Sequence, residues 1–132
     1  MKTLIVDTNV LLRHLLKDNA SQFNEAKTYF DKAKREEIEI LTLPEVLLEV
    51  EFVLRRKYNV KKEDVVRGLL SLAKAQYFNV IERKLILDTI ETYKNHNLHI
   101  VDCFVLHTAQ IKGAEVLTFD KQLKKLSTSM SS

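Results

Sequence analysis

The sequence has few of the residues that interrupt or cross-link a chain. Its 132 residues include one proline, two glycines, one cysteine and no tryptophan. So few turn-forming residues favour long helices, and a single cysteine excludes an internal disulfide and gives no sign of an oxidising compartment. Hydrophobic residues make up 45% and charged residues 30%, which excludes disordered and collagen-like chains. The length predicts one domain over residues 1–126, with a flexible polar tail over residues 127–132.

Long apolar runs and a large excess of one charge are also absent. No segment approaches the roughly 20 uninterrupted apolar residues of a membrane-spanning helix. Near the start, Asp7 interrupts the apolar sequence after Val6, so we expect no export signal and a cytoplasmic location. The 21 basic and 18 acidic residues give a net charge of +3, which is too small to indicate a nucleic-acid partner by itself.

Short apolar runs alternate with segments of helical periodicity along the chain. Strands are predicted at residues 4–6, 38–41, 77–81 and 116–118. Helices are predicted at residues 7–17, 21–35, 44–57, 61–75, 82–96, 101–112 and 120–126. Strands separated by helices predict parallel pairing, because parallel neighbours need a crossover connection. The expected class is therefore α/β, with a short, mostly parallel sheet of about four strands and about seven helices.

Several acidic residues lie where a parallel sheet would bind a ligand, beyond the carboxyl ends of the strands. Asp7 and Asp120 each follow a predicted strand, although either could simply cap the next helix. Asp102 could also be a cap but is less easily explained, because the residues at i+3, i+4 and i+7 place it on the face of its helix that should be buried. Those residues are Val105, Leu106 and Ala109. An acid on a buried face needs a partner.

Glu49 and Glu51 are expected to differ in role. Glu49 lies at the margin of the apolar stripe that we predict for its helix, and no cation stands four residues before or after it. The residues of that stripe are Val46, Val50, Val53 and Leu54. Glu51 has Arg55 at i+4, which is an ordinary surface ion pair. We therefore predict a functional Glu49 and a solvated Glu51.

Three or four carboxylates at one end of a sheet would repel one another. A hard divalent cation with oxygen ligands, such as Mg²⁺ or Mn²⁺, is the simplest remedy. Cations held in this way recur in enzymes that hydrolyse phosphodiester bonds.

Four segments together resemble the PIN-domain ribonucleases, and more closely the VapC toxins of type II toxin-antitoxin pairs. They are LIVDTNVLLR at 4–13, LLEVEFVL at 47–54, IVDCFVLHTA at 100–109 and GAEVLTFD at 113–120. The resemblance runs from Leu4 to about Leu126 and implies a three-layer PIN-like fold. It also implies an Mg²⁺-dependent endoribonuclease that leaves a 5′-phosphate and a 3′-hydroxyl, with a cognate antitoxin as its protein partner.

The resemblance places the family's acidic cluster on residues already noted above. They are Asp7 and Asp102 as direct metal ligands, and Glu49 and Asp120 as direct or water-mediated ligands. Asn9 and Thr118 match polar positions that orient the carboxylates.

Two departures from the family pattern concern the metal count and the sheet. His99 stands where many relatives carry a further acid, which leaves one or two metal ions open. The polar tail stands where relatives often have a final edge strand, so the sheet could stop at four strands.

Basic and apolar surfaces suggest two kinds of partner. Arg13, Arg55 and Lys121 are candidates for contacts with RNA phosphates, although the basic clusters could equally be solvated surface. Leu48 and Phe52 leave a second side of their helix apolar, which favours a homodimer contact or a groove for a partner helix.

Three alternatives remain at this stage. His96, His99, Asp102 and His107 could suggest zinc, although the other candidate ligands are carboxylates that suit a harder metal. A non-catalytic PIN-fold module could bind RNA or protein. A haloacid-dehalogenase-like phosphatase also begins with an aspartate after the first strand, but those enzymes expect a second acid where this chain has Asn9.

Overall fold

A computed structural model describes residues 1–130, and this part contains three β-strands and seven α-helices. In chain order they are β1 (Lys2–Ile5), α1 (Thr8–Leu16), α2 (Ala20–Lys34), β2 (Ile38–Thr42), α3 (Pro44–Arg56), α4 (Lys62–Ala73), β3 (Asn79–Val80), α5 (Arg83–Asn95), α6 (Ile100–Lys112) and α7 (Lys121–Met130). The helices and the parallel sheet confirm the predicted α/β class. Within the described residues, no helix is long and apolar enough to cross a membrane.

The strands pair in the order β1-β2-β3, and both pairs are parallel. Leu4 is in register with Ile40, and Leu41 with Asn79. Each crossover contains two helices, which is the kind of connection that parallel strands require. The carboxyl ends of β1 and β2 therefore lie at the same edge, and α1 and α3 begin there.

The chain divides into two compact units, Met1–Arg83 and Lys84–Ser132; the prediction of a single domain stays a prediction. The first unit contains the whole sheet, and its core is apolar. Leu11, Val50 and Val65 are each 0% exposed, and each such burial contributes about 1.5–3 kcal/mol. Phe30 and Phe78 meet edge to face, with their ring centroids 5.0 Å apart.

The second unit contains α5, α6 and α7. The side chains of Ile90, Cys103 and Leu106 are buried there. A hydrogen bond of 2.6 Å between Thr92 Oγ1 and His107 Nε2 joins α5 to α6.

The strand predicted at residues 116–118 was wrong, so the sheet has three strands rather than about four. Residues 114–118 have no regular secondary structure, and Leu117 is 97% exposed. A strand exists only through pairing, and the three strands of the described chain pair with one another. A short apolar run gives strand propensity but cannot specify a partner.

The last helix is longer than predicted. We expected it to end at Leu126, and α7 continues to Met130. Residues 127–130 of the predicted tail are thus helical, and residues 131–132 lie outside the described part. Another local difference is at α2, where the side chain of Asn19 rather than Ser21 caps the helix by accepting from the Gln22 amide.

Candidate functional site

Asp7 lies between β1 and α1 and is exposed. Its Oδ1 accepts a hydrogen bond of 3.2 Å from the Val10 amide, so the capping role considered from the sequence is present. Capping uses one carboxylate oxygen, and no further hydrogen bond or ion pair involves Asp7 within residues 1–130. Asp7 can therefore cap the helix and still offer Oδ2 to a ligand.

Glu49 lies on α3 and is also exposed. Thr8, the first residue of α1, donates a hydrogen bond of 3.1 Å from its Oγ1 to Glu49 Oε2. In the described chain Glu49 forms no ion pair, as expected from the lack of a cation one turn away. This hydrogen bond holds the Glu49 carboxylate beside the start of α1.

Asp7 and Glu49 line the same cavity, whose volume is about 400 Å³. Asn9, predicted to orient carboxylates, also lines it. Asp7 and Asn9 border a second cavity of about 240 Å³, which includes Arg13 in its wall. The first unit thus brings together two of the predicted acids and the predicted amide.

Asp102, Thr118 and Asp120 belong to the second unit. Asp102 lies half-buried in the first turn of α6. Asp120 caps α7, because its Oδ1 accepts a hydrogen bond of 2.8 Å from the Leu123 amide. Thr118 Oγ1 accepts one of 3.0 Å from the Asp120 amide, so the contact between these two residues runs through the Asp120 backbone.

Among residues 1–130, no group of three or more His, Cys, Asp or Glu side chains is arranged to hold a metal ion. The four-carboxylate site therefore stays a prediction. The donors in the cavity of the first unit nevertheless fit a hard cation, because Mg²⁺ is commonly bound through one or two carboxylates, with waters and phosphate oxygens in its other positions. Asp7 and Glu49 would provide the carboxylates, and Asn9 a neutral oxygen.

Two of the three histidines considered for zinc have other contacts. His107 Nε2 faces the Thr92 hydroxyl, and His96 Nδ1 lies 3.0 Å from the Thr92 carbonyl oxygen. His99 precedes α6 at its N-cap and makes no capping hydrogen bond with its side chain. Burial lowers the pKa of His107 because it disfavours the charged imidazolium.

The prediction of a solvated Glu51 was wrong. Glu51 is 2% exposed, and its Oε2 lies 2.8 Å from Arg55 Nε. The expected partner is correct. Of the stripe predicted for α3, Val50 and Leu54 are buried, but Leu47 and Glu51 are buried in place of Val46 and Val53, so the buried face is rotated from the predicted one. Periodicity alone leaves that rotation open, because both stripes are apolar.

The three predicted RNA contacts differ in their surroundings. Arg13 is held by Asp18 Oδ2, 2.9 Å from its Nη1, and donates a 3.0 Å hydrogen bond from Nη2 to the Tyr58 hydroxyl. That hydrogen bond raises the pKa of Arg13, with Asp18 adding to the effect against the opposing cost of burial. Arg55 is committed to Glu51, whereas Lys121 is exposed at the start of α7.

Lys57 and Tyr58 also line the cavity that contains Asp7 and Glu49. They follow α3 directly, and sequence reasoning did not select them for this cavity. The only sequence signal was the position of Lys57 within a basic cluster. A lone tyrosine beyond a helix end has no pattern that predicts its neighbours in space.

Comparison with known proteins agrees with the fold and the motifs. The model of the family described as PIN domain matches residues 4–128. A relative from Aquifex aeolicus (strain VF5), named VapC ribonuclease, is 24% identical over 123 residues, which are 92% of this chain and 90% of that protein. Since the family model covers nearly the whole sequence, the chain belongs to the PIN domain family.

Proposed function

We propose that the chain is an endoribonuclease that depends on Mg²⁺ or Mn²⁺ and hydrolyses RNA phosphodiester bonds. The observation that carries the proposal is the cavity shared by Asp7 and Glu49, two exposed carboxylates that form no ion pair within the described residues. Membership of the PIN domain family and similarity to a protein named VapC ribonuclease support the same reaction.

Asp7 and Glu49 are each positioned by a hydrogen bond from a nearby residue. The Val10 amide holds Asp7 Oδ1, and the Thr8 hydroxyl holds Glu49 Oε2, which leaves Asp7 Oδ2 and Glu49 Oε1 for a cation. A bound cation would supply Lewis-acid stabilisation of the phosphate and a lowered pKa for its water. Fixed carboxylates reduce the reorganisation needed when substrate arrives.

The resemblance to the family also implies roles for residues of the second unit. We propose Asp102 and Asp120 as further metal ligands and Thr118 as a residue that orients Asp120. Lys121 contributes positive charge for RNA phosphates.

We also propose that the chain is the toxin of a type II toxin-antitoxin pair and acts in the cytoplasm as a homodimer. The name of the Aquifex relative supports the toxin role. Phe52 is 51% exposed on α3 and offers apolar surface to a second copy or to an antitoxin helix. The proposal expects a short reading frame for a DNA-binding antitoxin directly upstream.

The test compares the purified chain with its Asp7→Asn variant on single-stranded RNA in Mg²⁺, in Mn²⁺ and in EDTA. We expect the variant to lose at least about 100-fold in cleavage rate, since even residues that only support metal ligands are worth about 10–100-fold. Asparagine caps helices as well as aspartate does, so the fold is retained and can be verified by thermal unfolding.

Glu45→Gln is the matched control for loss of a carboxylate. Glu45 is exposed, lies one turn before Glu49 on α3 and does not line the cavity. Its variant should cleave RNA at the rate of the unmodified chain. Equal cleavage by the unmodified chain and Asp7→Asn, or cleavage that persists in EDTA, would contradict the proposed function.

A further inference from the structure

The cavity that contains Asp7 and Glu49 has a basic and aromatic part as well as an acidic one. Lys57 and Tyr58 contribute that part, and Leu12 adds apolar surface. A site of this composition suits a ligand with a negative charge and a flat apolar face. A nucleotide of single-stranded RNA has both features, and proteins bind such strands through cationic grooves and aromatic stacking.

Tyr58 is held in place without being covered. Its hydroxyl accepts the 3.0 Å hydrogen bond from Arg13 Nη2, and Arg13 Cζ lies 6.0 Å from the centre of its ring. The turn that carries Tyr58 is closed by a 3.0 Å hydrogen bond from the Val60 amide to the Leu54 carbonyl. Tyr58 still remains 42% exposed. A fixed aromatic ring loses little conformational freedom when a base stacks on it.

Arg13 is itself held in place by hydrogen bonds, and this indicates how it acts on Tyr58. Its side chain is 17% exposed and forms the ion pair with Asp18. A guanidinium already bonded to a carboxylate and a hydroxyl is poorly placed to receive a phosphate as well. Arg13 is therefore better suited to positioning Tyr58 than to binding RNA directly.

Lys57 is the cation of the same cavity. It is exposed, and within residues 1–130 it forms no ion pair. Its backbone amide donates a hydrogen bond of 2.9 Å to the Val53 carbonyl at the end of α3. The backbone is thus fixed, while the ammonium group can reach a phosphate.

We propose that Tyr58 is a nucleobase-stacking residue for single-stranded RNA beside the Asp7–Glu49 pair. In this arrangement Lys57 contacts the adjoining phosphate, and Arg13 positions the ring. The inference rests on the proposed function, because it assigns a binding place to the RNA substrate.

The test measures binding of a short, fluorescently labelled single-stranded RNA by anisotropy, in Mg²⁺. The Asp7→Asn chain is the parent, so that the RNA stays intact. Tyr58→Leu should weaken binding about fivefold or more, which corresponds to the loss of one stacked base. Tyr58→Phe keeps the ring and should retain most of the affinity.

Phe52→Leu is the matched control. Phe52 is an exposed aromatic residue on α3 with Arg56 Cζ 5.9 Å from its ring centre, and it does not line the cavity. Leucine keeps this position apolar, so the surface proposed for a second copy or an antitoxin is retained, and the variant should bind RNA like the parent. Equal weakening by Tyr58→Leu and Phe52→Leu would overturn the proposal, because it would show a general effect of exposed aromatic residues.

A single abasic nucleotide moved along the RNA separates stacking from other effects. At the position that meets Tyr58, loss of the base should weaken binding by the parent, and Tyr58→Leu should then cause little further loss. Arg13→Met should likewise lower affinity for the complete RNA and leave affinity for that abasic RNA unchanged. A Tyr58→Leu loss that remains in full on every abasic RNA would overturn the inference.

The two proposals fail in different ways. If the unmodified chain does not cleave RNA, the nuclease proposal fails, and the stacking result can still stand for an RNA-binding chain. If cleavage depends on Asp7 but the affinity for RNA does not depend on Tyr58, only the stacking proposal fails.

Discussion

At the scale of single residues, Glu51 is a carboxylate that the fold removes from water. Its side chain is 3% exposed, while that of its partner Arg55 is 35% exposed. Removing one member of such a pair costs far more than removing a surface ion pair, because the remaining charge stays buried. Arg55 is thus part of the support for α3, whatever it contributes to RNA binding.

Arg55→Met should lower the free energy of unfolding by at least about 2 kcal/mol, measured by urea denaturation. Arg56→Met is the control on the same turn, because Arg56 is exposed and should change stability by no more than about 0.5 kcal/mol. If Arg55→Met leaves stability unchanged and weakens RNA binding alone, the structural role assigned to this pair is wrong.

At the scale of elements, the two glycines differ in their effect on the helix that contains or precedes them. One ends its helix, and the other lies in a helix interior where alanine would fit. Gly113 ends α6 with φ +63°, a left-handed conformation that other L-residues adopt at a cost. Gly68 lies inside α4, where an added Cβ would meet Leu15 Cδ1 at an ordinary 3.4 Å.

Gly113→Ala should destabilise the chain by about 1 kcal/mol. Gly68→Ala should stabilise it by up to about 1 kcal/mol, because alanine is the better helix former. Urea denaturation of both variants checks the signs, and two changes in the same direction would contradict this account of the glycines.

The elements that the sequence predicted well are those with local causes. Pro44 suits the first turn of α3, Gly113 suits the end of α6, and apolar periodicity marks the helices between them. The strand at residues 116–118 failed because pairing is a tertiary property. The prediction of which face of α3 is buried was partly wrong for a related reason, since only packing decides which of two overlapping apolar stripes is buried.

The candidate site also divides into residues that local sequence could indicate and residues that only the tertiary structure brings together. The rule that ligands bind at the carboxyl ends of strands selected Asp7, and the lack of a local cation selected Glu49; both line one cavity. Their roles as ligands stay predictions. Tyr58 could not be found in this way, because its link to Arg13 joins residues 45 positions apart.

At the scale of the whole molecule, each unit contains a histidine whose pKa is lowered in the folded chain. Burial is the largest cause that lowers the pKa of His14 in the first unit and of His107 in the second. Lys17 and Lys34 lower the pKa of His14 further. In the unfolded chain a histidine has its ordinary pKa of about 6.5.

The free energy of unfolding should therefore fall as pH decreases below about 6.5, because the unfolded chain then binds protons that the folded chain does not. Thermal unfolding between about pH 8 and about pH 5 measures the dependence. His14→Gln and His107→Gln should each reduce its slope, whatever they do to stability at high pH. Slopes unchanged in both variants would contradict the assignment.

Position 7 has to meet two separate demands. The fold requires a side chain that accepts the hydrogen bond from the Val10 amide, and the proposed chemistry requires a carboxylate. Asparagine satisfies the first demand and fails the second, and the codons of aspartate and asparagine differ by a single base. Under the proposed function, one nucleotide change would separate a chain that cleaves RNA from an inactive chain of similar stability. Under the same proposal, the Asp7→Asn chain would keep its fold and its RNA-binding surface while it loses cleavage.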